Sequence, residues 1–169
     1  MDTKALKPMR DLFQNPRNLR EHISVALHQK SLGGKGFPED VMLSPATSSV
    51  LFPLSWHCNS SSEPCVVFNK RSFRVRQPGD LCFPGGRVAP RLDFFLSRVL
   101  QSPLTPLARW RFWPQWRDHR REQANRLSLL LATSLRESVE EMRLNPFGVT
   151  FLGPMPSESL LMFRRVLYP

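Results

Sequence analysis

Prolines occur along the whole of this sequence, and they limit its fold more than any other feature. Sixteen of the 169 residues are proline, and each one removes a backbone N–H donor and fixes φ at about −65°. A simple bundle of long helices therefore fits the sequence poorly, whereas short elements joined by turns agree with it. The chain length is suitable for one domain with its own core.

Local signals in the first half predict one helix followed by short strands. Asn15 and Pro16 can begin a helix as its N-cap and first helical residue, and the glycines at 33 and 34 can end it. The apolar runs 50–54 and 65–68 flank a turn-forming cluster, which predicts a β-hairpin. Residues 81–83 predict a further short strand, and residues 84–86 predict a sharp loop.

The second half is predicted to be mainly helical. We expect a short helix over about 92–101, an irregular bend, and a longer helix from near Asp118 to Leu144, where Asn145 and Pro146 stop it. Residues 149–152 predict a strand. The last residues, 162–168, can begin another strand, and the sequence ends there, so we expect a fold shortened at its carboxyl end.

Charge and cysteine content suggest a partner and a compartment. The net charge of +10 indicates an anionic partner: a phosphorylated small molecule, nucleic acid or an anionic membrane face. Cys58, Cys65 and Cys82 form an odd set without a recognisable pattern, so we expect no disulfide framework and a reducing compartment. The amino terminus lacks the apolar run of a signal peptide. We therefore expect a cytoplasmic protein, with peripheral attachment to a membrane as the alternative.

Three carboxylates mark the predicted long helix. Glu137, Glu140 and Glu141 are spaced i, i+3 and i+4, so they share one helical face and repel one another unless cations compensate them. A divalent cation such as Mg²⁺, which prefers hard oxygen ligands, is one compensator. An ordinary solvated face, with Arg136 or Arg143 paired to glutamates, is the simpler alternative.

Two motifs together resemble a known signature. Residues 135–141 (LRESVEE) follow residues 83–86 (FPGG), and the pair resembles the Nudix box, whose pattern is Gly-X5-Glu-X7-Arg-Glu-apolar-X-Glu-Glu-X-Gly-apolar. Residues 67–86 (VFNKRSFRVRQPGDLCFPGG) and 145–154 (NPFGVTFLGP) resemble the flanking sequence in the coenzyme A pyrophosphatase branch of Nudix hydrolases.

The resemblance implies an α/β fold with a mixed sheet between helices. One domain over 1–169 would then comprise an N-terminal helix and loop (1–45), a core (46–90 and 126–169) and an inserted basic helical arm (91–125). The implied activity is hydrolysis of the diphosphate linkage in a coenzyme A-type or nucleotide-derived substrate. Its cofactor would be Mg²⁺ or Mn²⁺.

The resemblance also implies residue roles. Glu137, Glu140 and Glu141 would ligate the metal, one of them serving as base, and Arg136 would hold a glutamate in place. The backbone of Gly85 and Gly86 would approach the metal or the diphosphate. Three basic residues could bind substrate phosphates, with ordinary surface charge as the alternative: Arg71, Arg74 and Arg76.

The box departs from its pattern at several places. Gly86 and Arg136 are about 50 positions apart where the uninterrupted pattern has 14, so about 36 residues are inserted. Leu92 occupies the place of an expected acid, with Asp93 one residue later. Ser138 replaces an apolar residue and Arg143 replaces a glycine. These departures leave open a second hypothesis, that of a Nudix-like binding module with weak or no catalytic activity.

The inserted segment, residues 91–125, allows two interpretations. Trp110, Trp113 and Trp116 lie among arginines, and from Arg98 to Arg126 seven arginines face only two acids. Tryptophans with arginines can contact an anionic membrane or stack on single-stranded nucleic acid, here through 98–126. Alternatively, the segment is an extra helical hairpin whose tryptophans pack against the domain while its arginines stay solvated.

Overall fold

The computed structural model describes residues 12–13, 15–33, 37, 47–56, 63–71 and 79–157. Within them the chain is a mixed α/β structure of four helices and short antiparallel strand pairs. The helices are α1 (Pro16–Gly33), α2 (Pro90–Leu100), α3 (Trp113–His119) and α4 (Arg121–Met142). The strands are β1 (Ser48–Val50), β2 (Leu54–Ser55), β3 (Cys65–Val66), β4 (Asn69–Lys70), β5 (Leu81–Cys82) and β6 (Gly85–Arg87).

Helix α1 begins where the sequence predicts. The Asn15 side-chain oxygen accepts hydrogen bonds from the backbone N–H groups of Arg17, at 3.0 Å, and Asn18, at 3.3 Å. These bonds satisfy two donors that have no partner within the helix, so Asn15 is the predicted N-cap. The helix ends at Gly33, as predicted.

The strands form three separate two-stranded pairs: β1 with β6, β2 with β3, and β4 with β5. The β2–β3 pair confirms the predicted hairpin, with Leu54 opposite Val66. The predicted loop at residues 84–86 is wrong in part, because Gly85 and Gly86 belong to β6 and pair with Val50 and Ser49. A continuous mixed sheet is not seen in the described part of the chain.

Helix α4 is the central element, and it packs against α2, α3, β1 and β6. The sequence places its start near Asp118, but α3 ends at His119 and α4 begins at Arg121. Arg120 separates them, because its φ of −139° and ψ of 47° lie outside the helical region. The predicted helix therefore begins at Arg121, and α3 occupies part of the stretch that the sequence predicts to be an irregular bend.

The inserted segment is part of the hydrophobic core. Trp110, Trp113 and Trp116 are each at most 3% exposed. They pack with Leu127, Leu131 and other residues of α4 in one cluster. The prediction that the tryptophans pack against the domain is confirmed. Removing this segment would remove six of the eleven residues of that cluster.

The predicted strand at 149–152 is also wrong, since these residues have no strand assignment. Their carbonyl groups are bound by side chains of the inserted segment. Arg109 donates to the carbonyl of Val149 at 3.4 Å, and Trp110 Nε1 donates to the carbonyl of Leu152 at 3.1 Å. Phe151 packs edge-on against the Trp110 ring. Side chains, and not a neighbouring strand, therefore bind the backbone of this stretch.

Two further findings concern the cysteines and the helices. Cys65 is disulfide-bonded and Cys82 is free, so not all three cysteines are free thiols. Cys58 lies outside the described residues. Within the part of the chain that the structure describes, no helix combines the length and apolar character needed to cross a membrane.

Candidate functional site

The three glutamates of the candidate site lie near the carboxyl end of α4, as predicted. Glu137 faces β6 so closely that a Cβ atom on Gly86 would overlap its carboxyl group. The adjoining Gly85 is more strictly confined, because a Cβ there would overlap the backbone of Ser49 and Val50. The absence of a Cβ at Gly85 therefore allows β6 and β1 to approach in this way. The resemblance implies that the glutamates and the diglycine approach one site, and Glu137 is the glutamate found beside Gly86.

Arg136 connects the glutamates to β6 and α2. Its Nη1 atom lies 2.9 Å from Glu137 Oε1 and 3.2 Å from Glu140 Oε1. Its Nη2 atom donates to the carbonyl of Arg87 at 3.1 Å, and its Nε atom lies 2.8 Å from Asp93 Oδ1. The guanidinium is therefore fixed from three directions, which agrees with its implied role of holding a glutamate in place.

Asp93 is the buried anchor of this arrangement. Its side chain is fully buried and accepts hydrogen bonds from the Ala89 backbone N–H at 2.7 Å and from Thr133 Oγ1 at 2.8 Å, besides Arg136. Burial alone would raise the pKa of Asp93, but the hydrogen bonds from Arg136, Ala89 and Thr133 outweigh it and hold that pKa below its usual value. The hydrogen bonds to Asp93 and Glu140 in turn raise the pKa of Arg136 above its usual value. Asp93 is thus ionised and paired with Arg136 at neutral pH.

Sequence reasoning noted Asp93 only as an acid one position later than expected. A signal for its role was present, since a charged residue at the first turn of an amphipathic helix can also cap it. Asp93 lies in the first turn of α2, and its bond to the Ala89 N–H closes that turn. The helix therefore turns this carboxylate inward, where it meets Arg136.

Asn69 is a further residue at the site that sequence reasoning missed. Its Nδ2 atom donates to Glu141 Oε2 at 3.1 Å and so joins β4 to α4. Strand alternation places the neighbouring Phe68 on the opposite face, where it packs with Phe83 at a ring separation of 4.8 Å. The sequence hardly indicates which side of β4 Asn69 lies on, because a strand of two residues is too short to show an alternating pattern.

The glutamates suit a divalent cation by residue type, since carboxylate oxygens are ligands that Mg²⁺ and Mn²⁺ prefer. Among the described residues, however, no group of three or more His, Cys, Asp or Glu side chains is arranged to hold a metal ion. Glu137 and Glu140 are paired with Arg136, and Glu141 is paired with Asn69. Glu140 and Glu141 are exposed, so their side chains have room to turn.

The expected phosphate-binding arginines can be placed only in part. The Arg71 backbone N–H donates to the carbonyl of Asp80 at 2.9 Å, and its own carbonyl accepts from the Gly79 N–H at 3.1 Å. Arg71 therefore extends the β4–β5 pairing by one residue. Arg74 and Arg76 lie outside the described residues.

Comparison of the chain with protein-family models, with curated proteins and with solved structures finds no match. The diglycine motif lies against the glutamate motif of α4, although about 50 residues separate the two in the sequence.

Proposed function

We propose that this chain is a Nudix-type hydrolase that cleaves a diphosphate linkage with the help of Mg²⁺ or Mn²⁺. The observation that carries the proposal is the contact of Glu137 with Gly86 across the inserted segment. The Nudix resemblance requires its diglycine and its glutamate helix to meet, and nothing in the local sequence forces them together. A coenzyme A-type or nucleotide-derived diphosphate is the proposed substrate class.

The residues of the site would have different roles in the reaction. Glu140 and Glu141 are exposed carboxylates that can turn towards a cation, whereas Glu137 is held against β6. Arg136 positions Glu137 and Glu140, and Asp93 fixes Arg136 in turn. A bound cation would supply a polarised phosphoryl oxygen and an activated water. Gly85 and Gly86 let β6 pack directly against β1 and the Glu137 carboxyl.

The test is hydrolysis of a panel of diphosphates, coenzyme A and nucleoside diphosphate derivatives among them, with and without Mg²⁺ or Mn²⁺. Glu141→Gln removes one charge and keeps the side-chain shape. We expect it to lower kcat/KM by about 100-fold or more, since even indirect contacts to a metal site are worth about 10–100-fold. Glu122→Gln is the matched control, because Glu122 is an exposed glutamate in the first turn of the same helix. Equal turnover by the two variants would exclude Glu141 from the reaction.

A second candidate is a Nudix-like binding module without catalytic activity. The observation in its favour is that Arg136 already compensates Glu137 and Glu140, as an ordinary structural ion-pair network does. Calorimetric titration with Mn²⁺ separates the two candidates. Binding that is lost in Glu141→Gln supports the hydrolase, whereas an unchanged heat signal in both proteins, with no turnover on the panel, supports the binding module.

A further inference from the structure

Helix α2 has an inner face that is buried and an outer face that carries large apolar side chains. The inner face includes Asp93, Ser97 and Leu100, which pack towards α4. At 100° per residue, the opposite side of the helix carries a mixed set of six residues: Arg91, Leu92, Phe94, Phe95, Arg98 and Val99. All six are exposed, and Phe95 is the most exposed of the four apolar residues, with 65% of the residue accessible.

The charges on this outer face have a single sign. Arg91 and Arg98 are one helical repeat of seven residues apart and flank Phe95. The one acid of α2 is Asp93, which is fully buried and paired with Arg136. From Cys82 to Arg117 the sequence has no other acidic residue. An approaching anionic surface would therefore meet arginines and apolar groups without like-charge repulsion.

A shallow cavity of about 390 Å³ adjoins this face at the start of α2. It is lined by Ala89, Pro90, Arg91 and Leu92, so apolar groups and the aliphatic stem of one arginine form its walls. Such a cavity accepts a hydrocarbon group but offers few directional hydrogen-bond donors. It extends the apolar area of the outer face.

We propose that the outer face of α2 binds the surface of a membrane that contains anionic lipids. Apolar side chains at the headgroup boundary, with arginines beside them, are the features of an interfacial helix. A specific protein interface normally adds polar groups that form directional hydrogen bonds, and the six outer positions hold only arginines and apolar residues. The proposal places the contact on Phe95 and its neighbours instead of the tryptophans, which are buried. It does not depend on the proposed hydrolase activity.

The test is co-sedimentation with vesicles of phosphatidylcholine alone or of phosphatidylcholine with phosphatidylserine, at low and high salt. We expect the protein to bind the vesicles that contain phosphatidylserine and to bind more weakly as salt rises. Phe95→Ser should lower the partition coefficient about tenfold, which corresponds to the loss of one inserted aromatic side chain. Arg98→Gln should lower it about fivefold, which corresponds to one basic residue at an anionic surface.

Matched controls lie elsewhere on the surface. Phe147 is 63% exposed and lies after α4, so Phe147→Ser should leave partitioning unchanged. Arg121→Gln removes an exposed arginine at the start of α4 and should lower partitioning by less than about twofold. All four substitutions are at exposed positions, and circular dichroism checks that the variants are folded.

Three results would overturn the proposal. One is absence of binding to phosphatidylserine vesicles at low salt. Another is binding that Phe95→Ser and Phe147→Ser affect equally, which would mean that net charge alone attracts the protein. The third is a dimer by light scattering that Phe95→Ser converts to a monomer, which would make this face an interface between two copies of the chain.

Discussion

The inserted segment and the strand region differ in how completely their side chains are packed. In the inserted segment, Trp110 Nε1 donates to Ser24 Oγ and the Leu152 carbonyl, and Trp116 Nε1 donates to His28 Nδ1 at 3.2 Å. In the strand region (residues 47–56, 63–71 and 79–88), Val50 and Leu81 are each more than 60% exposed. The segment that interrupts the sequence motif therefore contributes about half of the main core cluster, to which the described strand region contributes no buried residue.

The difference shows how an insertion can stabilise a site that it interrupts in sequence. The inserted segment contributes six of the eleven residues in the main core cluster: Leu100, Leu107, Trp110, Trp113, Trp116 and Ala124. These residues fix the first half of α4, and the glutamates lie on the last turns of the same helix. The cluster extends along α4 as far as Leu135, so the glutamates follow directly on a packed part of the helix.

The largest effect is expected for Trp116, which is 2% exposed. Trp116→Ala should lower the free energy of unfolding by about 3–5 kcal/mol, because it leaves a large cavity and removes the donor to His28. Phe52→Ala is the matched change in the strand region, where Phe52 is 43% exposed and packs mainly on Phe83. Urea unfolding of both variants measures the difference. Similar losses of stability would contradict the idea that the inserted segment forms the core.

The second prediction concerns Asp93, which joins α2 to the glutamate end of α4. Asp93→Asn should lower the free energy of unfolding by about 2–3 kcal/mol, because Arg136 loses a buried charged partner. Asp118→Asn is the control, since Asp118 pairs with Arg117 on the exposed surface, and little change is expected there.

The pH dependence of Asp93 has a definite sign. Its folded-state pKa is lowered, so its contribution is present above the unfolded pKa of about 3.9 and is lost as pH falls through the folded pKa. The unfolding free energy of Asp93→Asn should therefore depend less on pH in this acid range than that of the wild type. Parallel curves for the two proteins would show that Asp93 is not the titrating anchor.

The elements that the sequence predicted correctly are those with local signals. Asn15 and Pro16 mark the start of α1, the apolar spacing marks α2 and most of α4, and the turn cluster marks the β2–β3 hairpin. Each signal acts within a few residues, through capping, periodicity or turn formation. The approach of the glutamates to the diglycine was predicted only through the family resemblance.

The missed features depend on contacts between distant residues. Nothing local to residues 149–152 indicates that Arg109 and Trp110 bind their carbonyl groups. The break at Arg120 lies inside a sequence with good helical character, and its backbone leaves the helical region although its N–H still donates to the Trp116 carbonyl. The spacing of Trp110, Trp113 and Trp116 does indicate their common burial, because residues three apart share one side of a helical or 3₁₀ turn.

The third prediction concerns His28, which packs against the inserted segment. Its ring is stacked on Phe112 at a centroid separation of 3.8 Å, and its Nδ1 accepts the proton of Trp116. Burial lowers the pKa of His28, a hydrogen bond with Gln115 opposes this, and Arg120 and Arg111 lower the pKa further. The folded protein therefore binds fewer protons than the unfolded chain just below pH 6.5.

Stability should accordingly fall as pH decreases from about 6.5 towards the lowered pKa of His28. His28→Gln should flatten this part of the stability curve, whereas His22→Gln, at an exposed position of the same helix, should preserve it. Urea unfolding between about pH 5 and pH 7.5 measures the slopes. A wild-type curve without a slope in this range would contradict the assignment of an uncharged, buried His28.

The smallest effect is expected at Arg143, at the glutamate end of α4. Arg143 has a φ of 55°, its N–H donates to the Val139 carbonyl, and the Leu144 N–H donates to the Ser138 carbonyl at 3.3 Å. This is the left-handed end of a helix that glycine favours, and the Nudix pattern has glycine at this position. Arg143→Gly should raise the free energy of unfolding by about 0.5–1 kcal/mol, because it relieves the left-handed conformation.

Arg143→Ala removes the same charge but keeps the Cβ, so it should be no more stable than the wild type. Thermal unfolding of the two variants separates conformation from charge, since a gain in both would trace the effect to the lost charge. Unchanged diphosphate turnover in Arg143→Gly would further show that the helix end can be stabilised without moving Glu140 and Glu141.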